Sequence, residues 1–144
     1  MTPQERAQRC ADAMWATDQA SQALGMRITQ IGPGTATLTM TVRADMLNGH
    51  GMCHGGMIFA LADSAFAFAC NTYNLIAVAQ QNQITYLAPG QPDETLTAAA
   101  TETARQGRSG TYDVTITGNN GRQIALFRGL SRTISGTHFD EELT

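Results

Sequence analysis

The chain has 144 residues, of which 42% are hydrophobic and 15% are charged, a composition typical of a globular domain and not of a disordered chain. Its formal net charge of −3 argues against a general nucleic-acid-binding protein, and no apolar run is long enough to span a bilayer. The polar N-terminus lacks the apolar segment of a secretory signal. An odd number of cysteines, three, fits reduced thiols in a cytoplasmic protein better than a disulfide framework.

Hydrophobic periodicity predicts the secondary structure. Apolar residues alternate with threonines over 35–42, which is typical of a half-buried strand. The run over 55–71 is apolar on all sides and lacks proline, so we expect a buried helix there. The predicted elements are, in order, a helix over 4–24, strands over 26–31 and 35–42, the buried helix, and strands over 75–87, 95–104, 110–117 and 124–130.

Four strands joined by tight turns follow the buried helix, and strands at such spacing form an antiparallel sheet. The segment 124–130 is apolar on both faces and should therefore lie centrally in that sheet. The polar, acidic segment 136–144 is expected to be disordered. The sequence thus predicts a single α+β domain over residues 1–135, with a sheet around one apolar helix.

A single carboxylate interrupts the buried helix. Asp63 is the only formally charged residue between Asp45 and Asp93. A carboxylate in apolar surroundings is unfavourable unless it has a partner, and desolvation tunes its pKa upward, as a general base or a nucleophile requires. The structural alternative is an aspartate paired with an arginine or bonded to a backbone group.

The segment from Asn48 to Gly56 reads NGHGMCHGG and leads into this helix. Glycines at a helix start expose backbone N–H groups, which suits them to hold a carbonyl oxygen as an oxyanion hole does. Zinc at His50, Cys53 and His54 is an alternative, but a second pair of ligands is missing. A nucleophilic Cys53 lacks an orienting third residue, and a phosphate cradle lacks a P-loop or Rossmann signature.

Eight residues separate Gly55 from Asp63, which is roughly 12 Å along one helix. One carbonyl group cannot contact both residues of the same chain. If both act on one substrate, the site combines the helix start of one subunit with Asp63 of another. This geometry predicts a dimer.

The chain resembles the hotdog-fold acyl-CoA thioesterases, specifically the phenylacetic-acid-degradation group. The resemblance rests on the segments ALGMRI, LNGHGMCHGG, LADSAFAFACN, ITYLAPGQPDETLTA, RQGRSGTYDV and IALFRG. It implies a curved antiparallel sheet around a long central helix, and homo-oligomers that are either dimers or dimers of dimers, the latter being homotetramers.

The resemblance also implies roles for individual residues. Gly55 would polarise the thioester carbonyl through its N–H, and Asp63 of the partner subunit would be nucleophile or general base. The amide of Asn48 would hold water or the carbonyl, and His54 would fix the helix start. Some relatives carry a water-positioning hydroxyl at the place of Ala67. The remaining expected substrate contacts are Gly56, Ser64 and Gln81, with Arg105, Gly107, Arg108 and Ser109 for the coenzyme A phosphates.

Arginines and turn N–H groups suit phosphate, although residues 105–109 are equally an ordinary solvated turn.

The expected activity is hydrolysis of an aromatic acyl-CoA thioester, of phenylacetyl or hydroxyphenylacetyl type, to acid and coenzyme A, without a metal or redox cofactor. One alternative is a hotdog dehydratase, for which His54 is the candidate base. Another is a non-catalytic acyl-CoA-binding module, which would not require the isolated Asp63.

Overall fold

The computed structural model describes residues 1–141. Within this range the α-helices are α1 (Pro3–Trp15), α2 (Gln19–Ala23) and α3 (Gly55–Cys70), and the strands are β1 (Arg27–Gly32), β2 (Thr35–Thr41), β3 (Ala77–Tyr86), β4 (Thr95–Gln106), β5 (Ser109–Thr117) and β6 (Gln123–Thr133). None of the helices in this part of the chain is both long and apolar enough to cross a membrane.

The strands of residues 1–141 form one antiparallel sheet in the order β1-β2-β4-β5-β6-β3. Strand β6, which contains the segment 124–130 expected at the centre of the sheet, lies between β5 and β3, so it has a neighbour on both sides but is next to the edge strand. Strands β1 and β3 are the two edges of the sheet. The predicted α+β class is confirmed, with the curved sheet wrapped around α3.

The first predicted helix is wrong in its extent, because the chain forms two helices where residues 4–24 predicted one. The side chain of Thr2 caps α1 by accepting the Glu5 N–H, and the Glu5 carboxylate accepts the Thr2 N–H in return. Asp18 then accepts the N–H of Ser21 at 3.0 Å and starts α2. A capping aspartate inside an amphipathic run therefore ends one helix and begins the next.

Helix α3 lies on the inner face of the sheet, and its apolar residues form the centre of the core. Phe66 packs with Tyr112 and Phe127, at ring-centroid distances of 5.6 and 5.9 Å. A Cβ on Gly129 of β6 would lie 2.8 Å from the Phe66 ring. Glycine is therefore required at 129 for the ring to rest on the strand backbone, which brings α3 close to the β6–β3 edge.

The segment expected to be disordered differs from that expectation over residues 136–141. Asn74 accepts the N–H of His138 at 3.0 Å and donates to the carbonyl of Phe139 at 3.0 Å. Arg6 of α1 pairs with Glu141, and the guanidinium of Arg9 lies 4.2 Å from the centroid of the Phe139 ring. These contacts hold residues 136–141 against the domain despite the polar composition of the segment. Residues 142–144 lie outside the described part of the chain.

Candidate active site

The loop before α3 is shaped by the side chain of Asn48. Its Oδ1 accepts the N–H of His50 at 2.9 Å and the N–H of Met52 at 3.2 Å. The side-chain oxygen is therefore committed to the loop. The Asn48 amide NH₂ donates to no acceptor within residues 1–141, so it is the part of this side chain that can contact a ligand.

His54 is the N-cap of α3. Its Nδ1 accepts the N–H of Gly56 at 2.9 Å, and its own N–H donates to the carbonyl of Met46 at 2.8 Å. This is the position-fixing role expected for His54. The N–H of Gly56, expected to contact substrate, is used inside the helix start. The N–H of Gly55 has no acceptor in the described range and is the donor that remains at the positive end of the helix.

The zinc and cysteine alternatives have little support from the geometry. Across residues 1–141 no group of three His, Cys, Asp or Glu side chains comes together as a metal site. Burial raises the pKa of Cys53, and its Sγ lies 3.7 Å from the carbonyl oxygen of His54. A buried thiol with a raised pKa is the inert kind of cysteine and not the reactive kind.

Gly55 lies against the ring of Tyr86, at the end of β3. The Tyr86 hydroxyl donates to the Gly55 carbonyl at 2.8 Å, and a Cβ on Gly55 would lie 3.2 Å from the ring. An open, mostly apolar cleft of ≈ 350 Å³ adjoins this contact. It is lined by Cys53, Gly55, Ile58, Tyr86, Leu87, Ala88 and Pro89. The free N–H thus lies beside a surface suited to an apolar acyl group.

Asp63 lies in the middle of α3, half-buried, and faces β3. Its Oδ1 accepts the side-chain N–H of Asn82 at 2.8 Å. Burial raises the pKa of Asp63 above the ordinary value of 3.8, and the hydrogen bond from Asn82 opposes that rise. No arginine within residues 1–141 pairs with Asp63, so its partner is a neutral amide and its charge is not neutralised.

Asn82 was missed by the sequence analysis, which named Gln81 on this strand. Gln81 is exposed, whereas Asn82 and Ile84 are partly buried and share the face of β3 that meets α3. The pairing of β3 with β6 shifts register between Ala79 and Gln81. Ile84 and Asn82 are two positions apart and therefore lie on the same face of the strand, which was the available signal. The register shift interrupts this alternation between Leu75 and Asn82, so the pattern from Leu75 onwards does not predict which face Asn82 is on.

Ser64 is not brought to the Asp63 carboxylate. Its Oγ lies 3.2 Å from Oγ of Ser21, which in turn donates to Asp18 at 2.7 Å. This chain of hydroxyls joins α3 to α2. A water-positioning role for Ser64 beside Asp63 therefore has no support from these contacts.

The four residues expected at the coenzyme A phosphates lie where β4 turns into β5: Arg105 is in β4, Gly107 and Arg108 form the turn, and Ser109 begins β5. Gly107 has φ +61°, the left-handed conformation that favours glycine. The guanidinium of Arg105 lies 3.5 Å from the centroid of the Tyr73 ring, and its Nε is 3.8 Å from Glu102. The turn adjoins Cys70, at the opposite end of α3 from Gly55.

Comparison with known proteins relates this geometry to a family. The thioesterase superfamily matches residues 50–125. The acyl-coenzyme A thioesterase PaaI of Escherichia coli K12 is 47% identical over 127 residues, which cover 88% of this chain and 91% of that protein.

Solved structures agree with the sequence comparison. The structure of the E. coli PaaI protein from the phenylacetic acid degradation operon gives a TM-score of 0.93 at 45% identity, covering 94% of this chain and 99% of that chain. A hypothetical thioesterase from Streptococcus pneumoniae TIGR4, solved with coenzyme A, gives a TM-score of 0.78 at 26% identity, over 88% of this chain and 97% of that chain. The chain therefore belongs to the thioesterase superfamily, in the PaaI group of hotdog-fold acyl-CoA thioesterases.

Proposed function

We propose that this chain hydrolyses aromatic acyl-CoA thioesters, of phenylacetyl or hydroxyphenylacetyl type, to the free acid and coenzyme A. The observation that carries the proposal is the half-buried Asp63, which is the only charged residue of α3 and accepts a hydrogen bond at one oxygen from the neutral amide of Asn82 on β3. The similarity to a PaaI thioesterase supports the acyl-CoA substrate class, and the apolar cleft beside Gly55 suits an aromatic acyl group.

The carbonyl oxygen of the thioester accepts the Gly55 N–H. This donor lies at the N-terminus of a 16-residue helix, where unpaired N–H groups favour developing negative charge. His54 keeps the neighbouring Gly56 N–H occupied, so one backbone donor is presented to the substrate. Charge that forms on the oxygen during attack is stabilised there.

Asp63 supplies the other half of the reaction by one of two routes. As a general base it takes a proton from water while the water oxygen bonds to the carbonyl carbon. As a nucleophile it bonds to that carbon, and water then hydrolyses the resulting anhydride. In both routes the C–S bond breaks and the coenzyme A sulfur leaves with a proton. Neither route uses a metal or redox cofactor.

The site is shared between two subunits. Gly55 and Asp63 lie on one helix, roughly 12 Å apart along its axis, so a carbonyl held at Gly55 meets Asp63 of a second copy. The exposed edge strand β3, ten residues long, is the surface suited to pair with that copy. Exposed apolar side chains lie towards both of its ends, at Val78, Tyr86 and Leu87. A two-fold pairing of β3 with β3 of the second copy brings the apolar side chains at one end of each strand to those at the other end of its partner. Two such dimers make the homotetramer.

The β4–β5 turn with its flanking residues, Arg105, Gly107, Arg108 and Ser109, is our proposed contact for the coenzyme A phosphates. It lies at the far end of α3 from Gly55, so it too serves the site formed with the second subunit.

All three cysteines lie within residues 1–141 and are free, which suits a reducing compartment, and we place the reaction in the cytoplasm. The ring of His54 serves as the helix cap, which disfavours its use as a dehydratase base.

A thiol-release screen over aryl and alkyl acyl-CoA substrates tests the activity. We expect release of coenzyme A, with phenylacetyl- and hydroxyphenylacetyl-CoA giving higher kcat/KM than straight-chain substrates of similar length. Absorbance of an enoyl product is followed in the same samples. Enoyl formation without thiol release, or ligand binding without turnover of any substrate, would refute hydrolysis.

Subunit sharing is tested by mixing two inactive variants, Asp63→Ala and Gly55→Pro. Each mixed dimer contains one site with an intact Gly55 and an intact Asp63 and one site with neither. Random mixing makes half of the dimers mixed, so about one quarter of the wild-type activity returns. Native mass spectrometry confirms that mixed dimers form. Mixed dimers without any recovered activity would show that the two residues do not share a site in this way.

A further inference from the structure

The contact between Asp63 and Asn82 joins two elements that are far apart in sequence. Asp63 lies on α3 and Asn82 on the edge strand β3, and the Asn82 Nδ2 donates to the Asp63 Oδ1 at 2.8 Å. The Oδ2 of Asp63 accepts no hydrogen bond from residues 1–141 and is not among their solvent-inaccessible polar atoms. The carboxylate is thus fixed at one oxygen and open at the other.

The other polar atom of Asn82 is buried and has no partner. Its Oδ1 is the only buried side-chain polar atom in the described range without a hydrogen bond. Such an acceptor is unfavourable, and an apolar side chain of similar size would avoid it. The amide cannot rotate to relieve it, because the carbonyl oxygen would then face the Asp63 carboxylate. A purely structural role does not account for an amide at this position, but a role as donor to Asp63 does.

The other titratable groups around Asp63 do not replace this contact. The Cys70 thiol on α3 is neutral because burial raises its pKa to about 12. On the strands packed against α3, Glu102 accepts from Tyr112 and Tyr73, and Arg128 pairs with Asp113. The other charged side chains of these strands are the exposed Arg27 and Arg132, and Arg105, which lies near Glu102. Tyr86 donates to Gly55, and the other β3 side chains are uncharged. Asn82 is therefore the group that fixes the orientation of the Asp63 carboxylate and opposes the rise of its pKa.

We propose that Asn82 is a positioning residue for thioester hydrolysis, whose amide holds one oxygen of Asp63 and aims the other at the reaction centre. The inference rests on the proposed function and adds a residue to its site. Donation from Nδ2 favours the ionised carboxylate, which opposes the effect of burial. Burial thus raises the pKa of Asp63, and the hydrogen bond from Asn82 lowers it.

The pH dependence of kcat tests this role in two variants, Asn82→Leu and Asn82→Asp. The acid limb is the part of the kcat–pH profile in which kcat rises as Asp63 loses its proton. Loss of a hydrogen bond to this charged group moves the acid limb of the Leu variant to higher pH by about one to two units. The Asp variant places a second carboxyl group beside Asp63, so its acid limb moves at least as far. The plateau kcat of the Leu variant falls roughly 10- to 100-fold, because the carboxylate is no longer oriented.

Gln83→Leu is the matched control, since it removes an exposed amide one residue away on the opposite face of β3. It keeps the acid limb of the wild type. Thermal melts identify any variant that does not fold, and the Asp variant, close in size to asparagine, decides the question if the Leu variant fails. Folded Asn82 variants with the acid limb of the wild type would overturn the proposal.

Carboxyl NMR titration of Asp63 separates this inference from the proposed function. Asn82→Leu raises the pKa of Asp63 in that titration, whether or not a thioester is turned over. An unchanged titration would refute control by Asn82, whereas a wild-type chain that releases no thiol from any acyl-CoA would refute hydrolysis itself.

Discussion

Replacing Asp63 by asparagine lowers kcat for thioester hydrolysis by about three orders of magnitude, within the range for loss of a general base. The asparagine keeps the shape of the side chain and still accepts the hydrogen bond from Asn82, so binding of the substrate changes little. The measurement is thiol release at saturating substrate. Turnover by Asp63→Asn within tenfold of the wild type would exclude the carboxylate from the reaction.

The same substitution leaves stability unchanged or increases it. Burial raises the pKa of Asp63 above 3.8. At pH values between 3.8 and the raised pKa, the folded state therefore keeps a proton that the unfolded state has released. Stability therefore falls as pH rises through that window and stays lower above it. Asp63→Asn removes this penalty, so its Tm at pH 7 equals or exceeds that of the wild type.

Asp113→Asn is the matched control with the opposite sign. Hydrogen bonds from Arg128 lower the pKa of Asp113, so this carboxylate contributes stability above its unfolded pKa, and that contribution is lost as pH falls through the folded value. Asp113→Asn keeps its activity and has a Tm at pH 7 no higher than that of the wild type. A lower Tm for Asp63→Asn than for Asp113→Asn would contradict the desolvated environment assigned to Asp63.

Replacing Gly55 by proline lowers kcat about 10²- to 10³-fold, the loss typical of one missing oxyanion donor. Proline is well tolerated at the first position of a helix, where it removes an N–H that has no partner in the helix. His54 has φ −59° and ψ 134°, an extended conformation that suits the residue before a proline. The helix start is therefore kept while its free donor is lost.

Gly55→Ala separates loss of the donor from added bulk. It keeps the N–H, but its methyl group lies 3.2 Å from the ring of Tyr86. That ring is 49% exposed and can move, so we expect a loss of roughly tenfold, well below that of the proline variant. Gly49→Ala in the same loop meets no atom within 4 Å and keeps full activity. Equal losses for Gly55→Ala and Gly55→Pro would show that bulk, and not the N–H, is responsible.

The features that the sequence predicted well are local ones. An apolar run that only Asp63 and Ser64 interrupt identified α3 almost to its ends, and the isolation of Asp63 among apolar residues pointed to the candidate site. Alternation placed β2, and apolar residues on both faces placed β6 inside the sheet. In each case a few neighbouring residues contain the whole signal.

The features that the sequence missed depend on long-range contacts. Tyr86 reaches Gly55 across 31 positions, and the register shift before Gln81 decides which amide faces Asp63. The pair of Arg6 with Glu141 joins opposite ends of the chain, and Asn74 contacts His138 across 64 positions. Composition and periodicity describe how one segment divides between core and solvent, and they contain nothing about which distant segment it meets.

The position of β3 has a consequence for how the enzyme forms during synthesis. Within its own chain this strand pairs only with β6 among the described strands, and β6 ends at Thr133. While the ribosome is still making the last part of the domain, β3 has no strand of its own chain to pair with, and Asn82 is not yet held opposite Asp63. Asp63 is thus made early and receives its partner late, so an incomplete chain cannot place Asn82 against Asp63 before the rest of the sheet has formed.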